Sequence, residues 1–175
     1  MWRPCVKVNN SVRNLKPLTI VFVIVSFLAA VGAIFFWQAV NMHRRHAEVA
    51  LIGAQVMPFD LEATMHEFKA VPNGGLQTVT ANDPTDSQQI ELIQSHLKEE
   101  SIKFQNGNFS DPAKIHGENM PGLASLQAGS DTIDIQYTAL SNGGQIRYVT
   151  DDAELVTALH TWFEAQRSDH GHHAK

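Results

Sequence analysis

The sequence predicts an α+β fold in which an N-terminal transmembrane helix precedes a small domain of two ββα units. Three observations support this prediction: an uncharged apolar run, two Asn-Gly-Gly turns that each separate two extended stretches, and an amphipathic helical pattern after each hairpin. Together the two units predict a four-stranded, mostly antiparallel sheet with two helices on one face.

The apolar run covers residues 18–40, and its only polar side chains are Thr19, Ser26 and Gln38. As a helix it spans about 34 Å, which is enough to cross the hydrocarbon core of a bilayer, about 30 Å thick. The run is longer than the apolar region of a signal peptide, about 7–15 residues, so we expect an uncleaved signal anchor rather than a cleaved leader.

Charge predicts the orientation of this anchor. Residues 1–17 form a basic tail with four Lys or Arg, whereas only Arg44 and Arg45 follow the run closely. The positive-inside rule therefore places the N-terminus in the cytoplasm and the C-terminal domain in the periplasm or outside the cell, anchored by a single pass in the inner membrane.

The part after the anchor is acidic. Residues 47–175 contain seven basic and 18 acidic side chains, a net charge of −11 with neutral histidine. Such a domain repels phosphate backbones, so we expect no nucleic-acid partner. The single cysteine, Cys5, precedes the anchor, and an intrachain disulfide is therefore impossible.

Beyond the anchor, residues 41–58 are predicted to continue as a helical stalk that ends at Pro58. An exported α+β domain over residues 59–168 follows, a usual length for one domain. Residues 169–175 contain three histidines and are predicted to be a flexible tail.

The first unit has extended stretches at residues 65–71 and 76–80 around Asn73-Gly74-Gly75, because Asn-Gly favours the positive φ angles of a tight hairpin. Its helix is predicted to begin at Asp83-Pro84, a capping acid followed by proline, and to end at Gly107.

The second unit repeats this order, with extended stretches at residues 132–137 and 145–150 around Asn142-Gly143-Gly144. Asp151, with a glutamate three residues later, is predicted to cap its helix. Aligning the units sets His96 against His160, which an internal duplication with a pseudo-two-fold axis would explain. The match is short, so chance is the alternative.

Nine histidines lie in the chain, all of them after the anchor. Imidazole is a common metal ligand, and the thioether of Met120 in the segment IHGENMPG would favour copper, Cu(I) in particular. We therefore predict a copper site, with zinc or non-covalent haem as alternatives, and expect its ligands among His116, Met120, His96, His160 and His66. The competing interpretation is that Met120 fills the core and that the histidines are structural.

The preferred function is thus metal handling or sensing without catalysis. An interaction module that docks onto another envelope protein is the alternative. A hydrolase-like enzyme comes third, because a pair such as His116 with Asp111 or Glu118 is possible but no nucleophile elbow, Walker loop or HExxH motif occurs.

The strings GGLQTVTANDP, HGENMPGL and ALHTWFEAQRSDHG resemble small exported or membrane-anchored bacterial proteins of unestablished function, some of which carry the label aspartate carbamoyltransferase. The resemblance covers residues 59–172. The label implies a Ser-Thr-Arg-Thr loop and a His-Pro-x-Gln segment, and this sequence has neither. The resemblance therefore implies no catalytic residue here.

Overall fold

A computed structural model describes residues 17–171 and residue 174 of the chain. The chain divides into two units, Met1–Met42 and His43–Lys175. Helix α1, Pro17–Val56, begins in the first unit and ends in the second. Its apolar side chains in the first unit, such as Phe22 and Trp37, are exposed, and α1 is long and apolar enough to cross a membrane. Of the predicted basic tail, residues 1–17, all but Pro17 lies outside the described residues.

The second unit contains a single sheet packed with helices. Its sheet has four strands in the order β1-β2-β4-β3, and every neighbouring pair is antiparallel. The predicted α+β class is therefore confirmed. After α1 the elements are a 3₁₀ turn (Leu61–Ala63), β1 (Thr64–Val71), β2 (Gly74–Ala81), α2 (Ser87–Gln105), α3 (Ser110–His116), α4 (Leu123–Ala128), a second 3₁₀ turn (Ser130–Thr132), β3 (Asp134–Leu140), β4 (Gly143–Val149) and α5 (Ala153–His170).

Helices α2 and α5 cover the same face of the sheet. Tyr148 of β4 contacts both, with its ring centroid 6.4 Å from that of Phe104 in α2 and 5.8 Å from that of Phe163 in α5. The core lies between these layers, and Trp162 is fully buried in it. On the opposite face the strands present exposed polar side chains such as Arg147, as expected for a sheet with one solvated face.

The strand pairing has a local two-fold symmetry. Gly75 lies opposite Tyr148 in the central pair of strands, and Val79 lies opposite Gly144, so a shift of 69 residues (75 to 144, 79 to 148) exchanges the two pairs. The histidines of the two helices do not follow this symmetry. His96 lies against Phe59, whereas His160 bonds to backbone carbonyls of the first hairpin.

The two glycine pairs serve a different purpose from the one predicted. Among the described residues only glycines have positive φ, so Asn73 does not adopt the predicted turn conformation. Instead, a Cβ atom on Gly74 would lie 1.9 Å from the carbonyl oxygen of Tyr148, and one on Gly143 would lie 2.0 Å from that of Val79. Glycine is required there because the two central strands approach each other closely.

Two helix starts are also corrected. Asp86, not Asp83, caps α2, whereas Asp83 accepts hydrogen bonds from Thr85 in a preceding turn. Asp152, not Asp151, caps α5 and accepts from the N–H groups two and three residues later, at 2.8 and 3.3 Å. A turn closed by the Asp86 N–H on the carbonyl of Asp83 separates Asp83 from α2, and Asp151 lies one position before the cap of α5. In both places the nearer acid therefore meets the free N–H groups.

The boundaries predicted at residues 59 and 169 lie inside the folded body. Val49 of α1 is buried, so the end of this helix packs as part of the second unit and is not a separate stalk. Helix α5 continues through His170, which is also buried, and Ala174 forms a parallel bridge with His66. Asp169 is held by its ion pair with Arg45, and His170 packs against His66 and His116.

Candidate functional site

Three histidine rings lie in a row inside the second unit. The centroid of His170, at the end of α5, is 4.9 Å from that of His66 in β1 and 4.9 Å from that of His116 at the end of α3. All three residues are buried. His66 faces inward because it shares the core face of β1 with Phe68, two residues later.

An ion pair orients one end of this row. Asp169 accepts a hydrogen bond from Arg45 Nε at 3.1 Å on one oxygen and from Arg45 Nη2 at 2.6 Å on the other. The second oxygen also lies 2.9 Å from His116 Nδ1, and Arg45 Nη2 donates to the backbone carbonyl of His116 at 2.7 Å. These bonds join α1 and the C-terminal end of α5 to the end of α3.

The electrostatics of Asp169 agree with this geometry. Burial by itself would raise the pKa of the carboxyl, but the hydrogen bonds from His116 and Arg45 outweigh it and lower the pKa to about 2. Asp169 is therefore ionised at neutral pH. A carboxylate on Nδ1 also fixes the orientation of the His116 ring, as it does for many ligand histidines.

The row borders a cleft in the second unit. Its volume is about 370 Å³, within the range of about 300–1,000 Å³ usual for small-ligand sites. Its apolar lining comes from Ala47, Val49 and Ala50 of α1 and from Leu61. Its polar groups are four histidines and two acids, namely His43, His46, His66, His170, Glu62 and Asp169. His46 Nε2 is 3.0 Å from the carbonyl oxygen of Ser168.

Of the five predicted ligands, the structure brings two into the row, His66 and His116. His160 lies elsewhere, with Nε2 at 3.0 Å from the carbonyl oxygen of Val71 and 2.9 Å from that of Gly74, so this nitrogen is engaged by the hairpin. Met120 belongs to the buried hydrophobic core and does not line the cleft. Within residues 17–171 and 174, no three His, Cys, Asp or Glu side chains are already arranged to hold a metal ion.

His96 lies in a second polar cluster. It projects from α2, its ring lies 5.6 Å from that of Phe59, and burial lowers its pKa. Glu100, one turn further along α2, has a side chain that is only 5% exposed. Lys103 Nζ lies 2.9 Å from Glu100 Oε1 and 2.8 Å from Asp111 Oδ2.

The two carboxyls of this cluster titrate in opposite directions. Burial of Glu100, assisted by a hydrogen bond with Asp111, raises its pKa to about 7 despite the nearby Lys103. For Asp111 burial also favours the neutral form, but hydrogen bonds from Lys103 and Glu100 prevail and lower its pKa. At neutral pH, Glu100 is thus partly protonated and donates to Asp111.

Sequence reasoning missed Arg45, Asp169 and His170. One signal for His170 was present: the buried positions of α5 continue at helical spacing from Trp162 through Gln166 to His170. Nothing local marks the partnership of Arg45 with Asp169, since 124 positions separate them. The predicted pairing of His116 with Asp111 or Glu118 is replaced by its contact with Asp169.

Comparisons of the chain with protein-family models, with curated proteins and with solved structures found no match.

Proposed function

We propose that the protein is a single-pass inner-membrane protein, with a cytoplasmic N-terminus, whose exported domain binds a divalent transition-metal ion, copper foremost, in the histidine cleft. The cleft is the one lined by His43, His46, His66 and His170. The ion is handled or sensed there without turnover. The basic N-terminal flank and the apolar length of α1 support the topology.

The grouping of four imidazoles around one cleft supports the metal proposal most directly. Two imidazoles that bind one ion at about 2.0–2.1 Å have ring centroids roughly 5 Å apart when the angle at the metal is near tetrahedral. The centroids of His66 and His170 are 4.9 Å apart. His43 and His46 reach the same cleft from one side of α1, since they are three residues apart in a helix.

Binding requires some side-chain rotation, because the ligands are not yet arranged around a common point. His43 is exposed and can rotate at little cost. His116 lies beyond His170 in the row, and its bond to Asp169 leaves Nε2 as the nitrogen able to coordinate. His116 either adds a ligand or holds His170 in place.

The chemistry of the ligands in the cleft favours Cu²⁺. Met120 packs in the core, so the thioether that would favour Cu(I) lies away from the cleft. Imidazole nitrogens suit Cu²⁺, Zn²⁺ and Ni²⁺, and at a given nitrogen site Cu²⁺ binds most tightly. We therefore expect Cu²⁺ to bind first and Zn²⁺ to compete less well.

The test is a titration of the untagged full chain in detergent with Cu²⁺ against a competing chelator. His172→Ser/His173→Ser serves as the background, because it removes two imidazoles that bind Cu²⁺ independently of the cleft. We expect one Cu²⁺ per chain in this background and at least a tenfold weaker affinity after His43→Ala/His46→Ala.

The matched control is His160→Asn, which removes an imidazole outside the cleft. It should leave the Cu²⁺ affinity unchanged. The proposal is refuted if the background variant binds no stoichiometric ion, or if the α1 double variant binds Cu²⁺ as tightly as its parent while retaining its helical circular dichroism.

A further inference from the structure

A second, much smaller cavity lies where α2, α3 and α5 meet. Its volume is about 20 Å³. A single water molecule requires about 10–15 Å³, so the space accommodates one water and no organic ligand. Its polar lining includes Gln77, Glu100, Asp111, Trp162 and Gln166, together with the imidazoles of His96 and His116.

Two residues of this lining carry buried N–H donors for which residues 17–171 and 174 supply no acceptor. Trp162 and Gln166 are 0% and 4% exposed, and among the described residues Trp162 Nε1 and Gln166 Nε2 have no hydrogen-bond acceptor. An indole N–H can only donate, and an amide nitrogen carries two N–H groups. Buried donors are almost always satisfied by protein or by ordered water, so both nitrogens require an acceptor at this place.

The chemistry of the lining selects the ligand. Glu100 and Asp111 are acidic and disfavour an anion. The two N–H donors disfavour a cation, as does the ammonium group of Lys103 beside both carboxyls. A neutral molecule that accepts two hydrogen bonds and donates two more suits all of these groups, and water is the molecule of that size.

We propose that this cavity is a binding site for one structural water molecule, which accepts hydrogen bonds from Trp162 Nε1 and Gln166 Nε2 and donates to the carboxyl pair of Glu100 and Asp111. The water would join α5 to α2 and α3 across the polar part of the interior. The inference is independent of metal binding in the histidine cleft.

The test is NMR of the full chain in detergent with ¹⁵N-labelled tryptophan. The chain has three tryptophans, Trp2, Trp37 and Trp162, and the signal lost in Trp162→Phe identifies the third. We expect a cross-relaxation peak between its indole N–H and water. The sign of this nuclear Overhauser effect should be that of a water molecule that stays bound. Gln166→Leu should reduce this peak to the noise, because it removes one donor and fills the space with methyl groups.

Two controls separate the water from other sources. Gln127→Leu makes the same change on the exposed side of α4 and should leave the peak intact. Glu100→Gln removes the exchangeable carboxyl proton but keeps an acceptor oxygen, so the peak should persist. Loss of the peak in folded Glu100→Gln, or its persistence in Gln166→Leu, would overturn the proposal.

A crystal structure of the full chain that resolves ordered water is the second measurement, useful if Gln166→Leu does not fold. We expect a water peak within about 3.2 Å of both nitrogens. Density that instead shows Trp162 Nε1 and Gln166 Nε2 bonded to protein acceptors would also overturn the proposal.

Discussion

Glu100→Gln should stabilise the protein at alkaline pH, because the wild-type carboxyl is buried where its charge is costly. The pKa of Glu100 is raised from 4.5 to about 7, mainly by burial. The folded protein therefore keeps this proton at pH values where the unfolded chain has released it. The resulting stability is fully present below pH 4.5 and is lost as the pH rises through about 7.

The size of the effect follows from this difference in pKa. Moving the pKa from 4.5 to about 7 corresponds to about 3 kcal/mol, at about 1.36 kcal/mol for each pH unit. Glutamine imitates the protonated acid: it is neutral and can donate to Asp111. The variant should therefore exceed the wild type by about 2–3 kcal/mol in free energy of unfolding at pH 8 and lie within about 1 kcal/mol of it at pH 5.

The assay is urea unfolding of the full chain in detergent at several values between pH 5 and pH 8, followed by near-ultraviolet circular dichroism. Glu99→Gln is the matched control, since Glu99 also pairs with Lys103, at 3.1 Å, but its side chain is 65% exposed. The control should keep the wild-type pH dependence. A Glu100→Gln protein that is less stable than the wild type at pH 8, or that keeps the wild-type slope, would refute the reasoning.

Three further substitutions test the packing of the domain. Asp169→Asn should lower the free energy of unfolding by about 1–2 kcal/mol at pH 7, because the substitution weakens the pair with Arg45. This difference is present above pH 3.8 and shrinks as the pH falls to about 2. Equal urea midpoints at pH 7 would contradict the prediction. Gly143→Ala should cost at least about 3 kcal/mol, because its Cβ would collide with the carbonyl of Val79. Gly117→Ala, at φ 99° with open space around it, should cost only about 1–2 kcal/mol, and equal thermal midpoints for the two alanine variants would contradict the collision.

The fold class was predictable because the patterns that define it are local. An uncharged run over residues 18–40 is sufficient to predict an apolar helix, and alternating stretches around two glycine pairs are sufficient to predict hairpins. Helix starts were less accurate. Asp83 and Asp151 both have the chemistry of a cap, and only the geometry of the following turn shows that Asp86 and Asp152 occupy that position.

The candidate site was predictable only in part. The excess of histidine from residue 43 onward indicated imidazole chemistry, and His66 and His116 do lie in one row. Which rings share a cleft depends on strand register and on where α5 ends. His170 was assigned to a flexible tail because Asp169 and the following glycine and histidines favour solvent, whereas its burial depends on β1 and on the ion pair with Arg45.

By itself the sequence determined the apolar helix, the strand and helix periods, and the acidic, histidine-rich character of the part after residue 46. Only the tertiary structure decided that Arg45 meets Asp169, that the paired glycines permit the contact of β2 with β4, and that Glu100 is buried beside Asp111. The physical reason is range. Periodicity and capping act between residues a few positions apart, but the packing of β-strands and helices joins groups as distant as 124 positions and selects them by shape and burial.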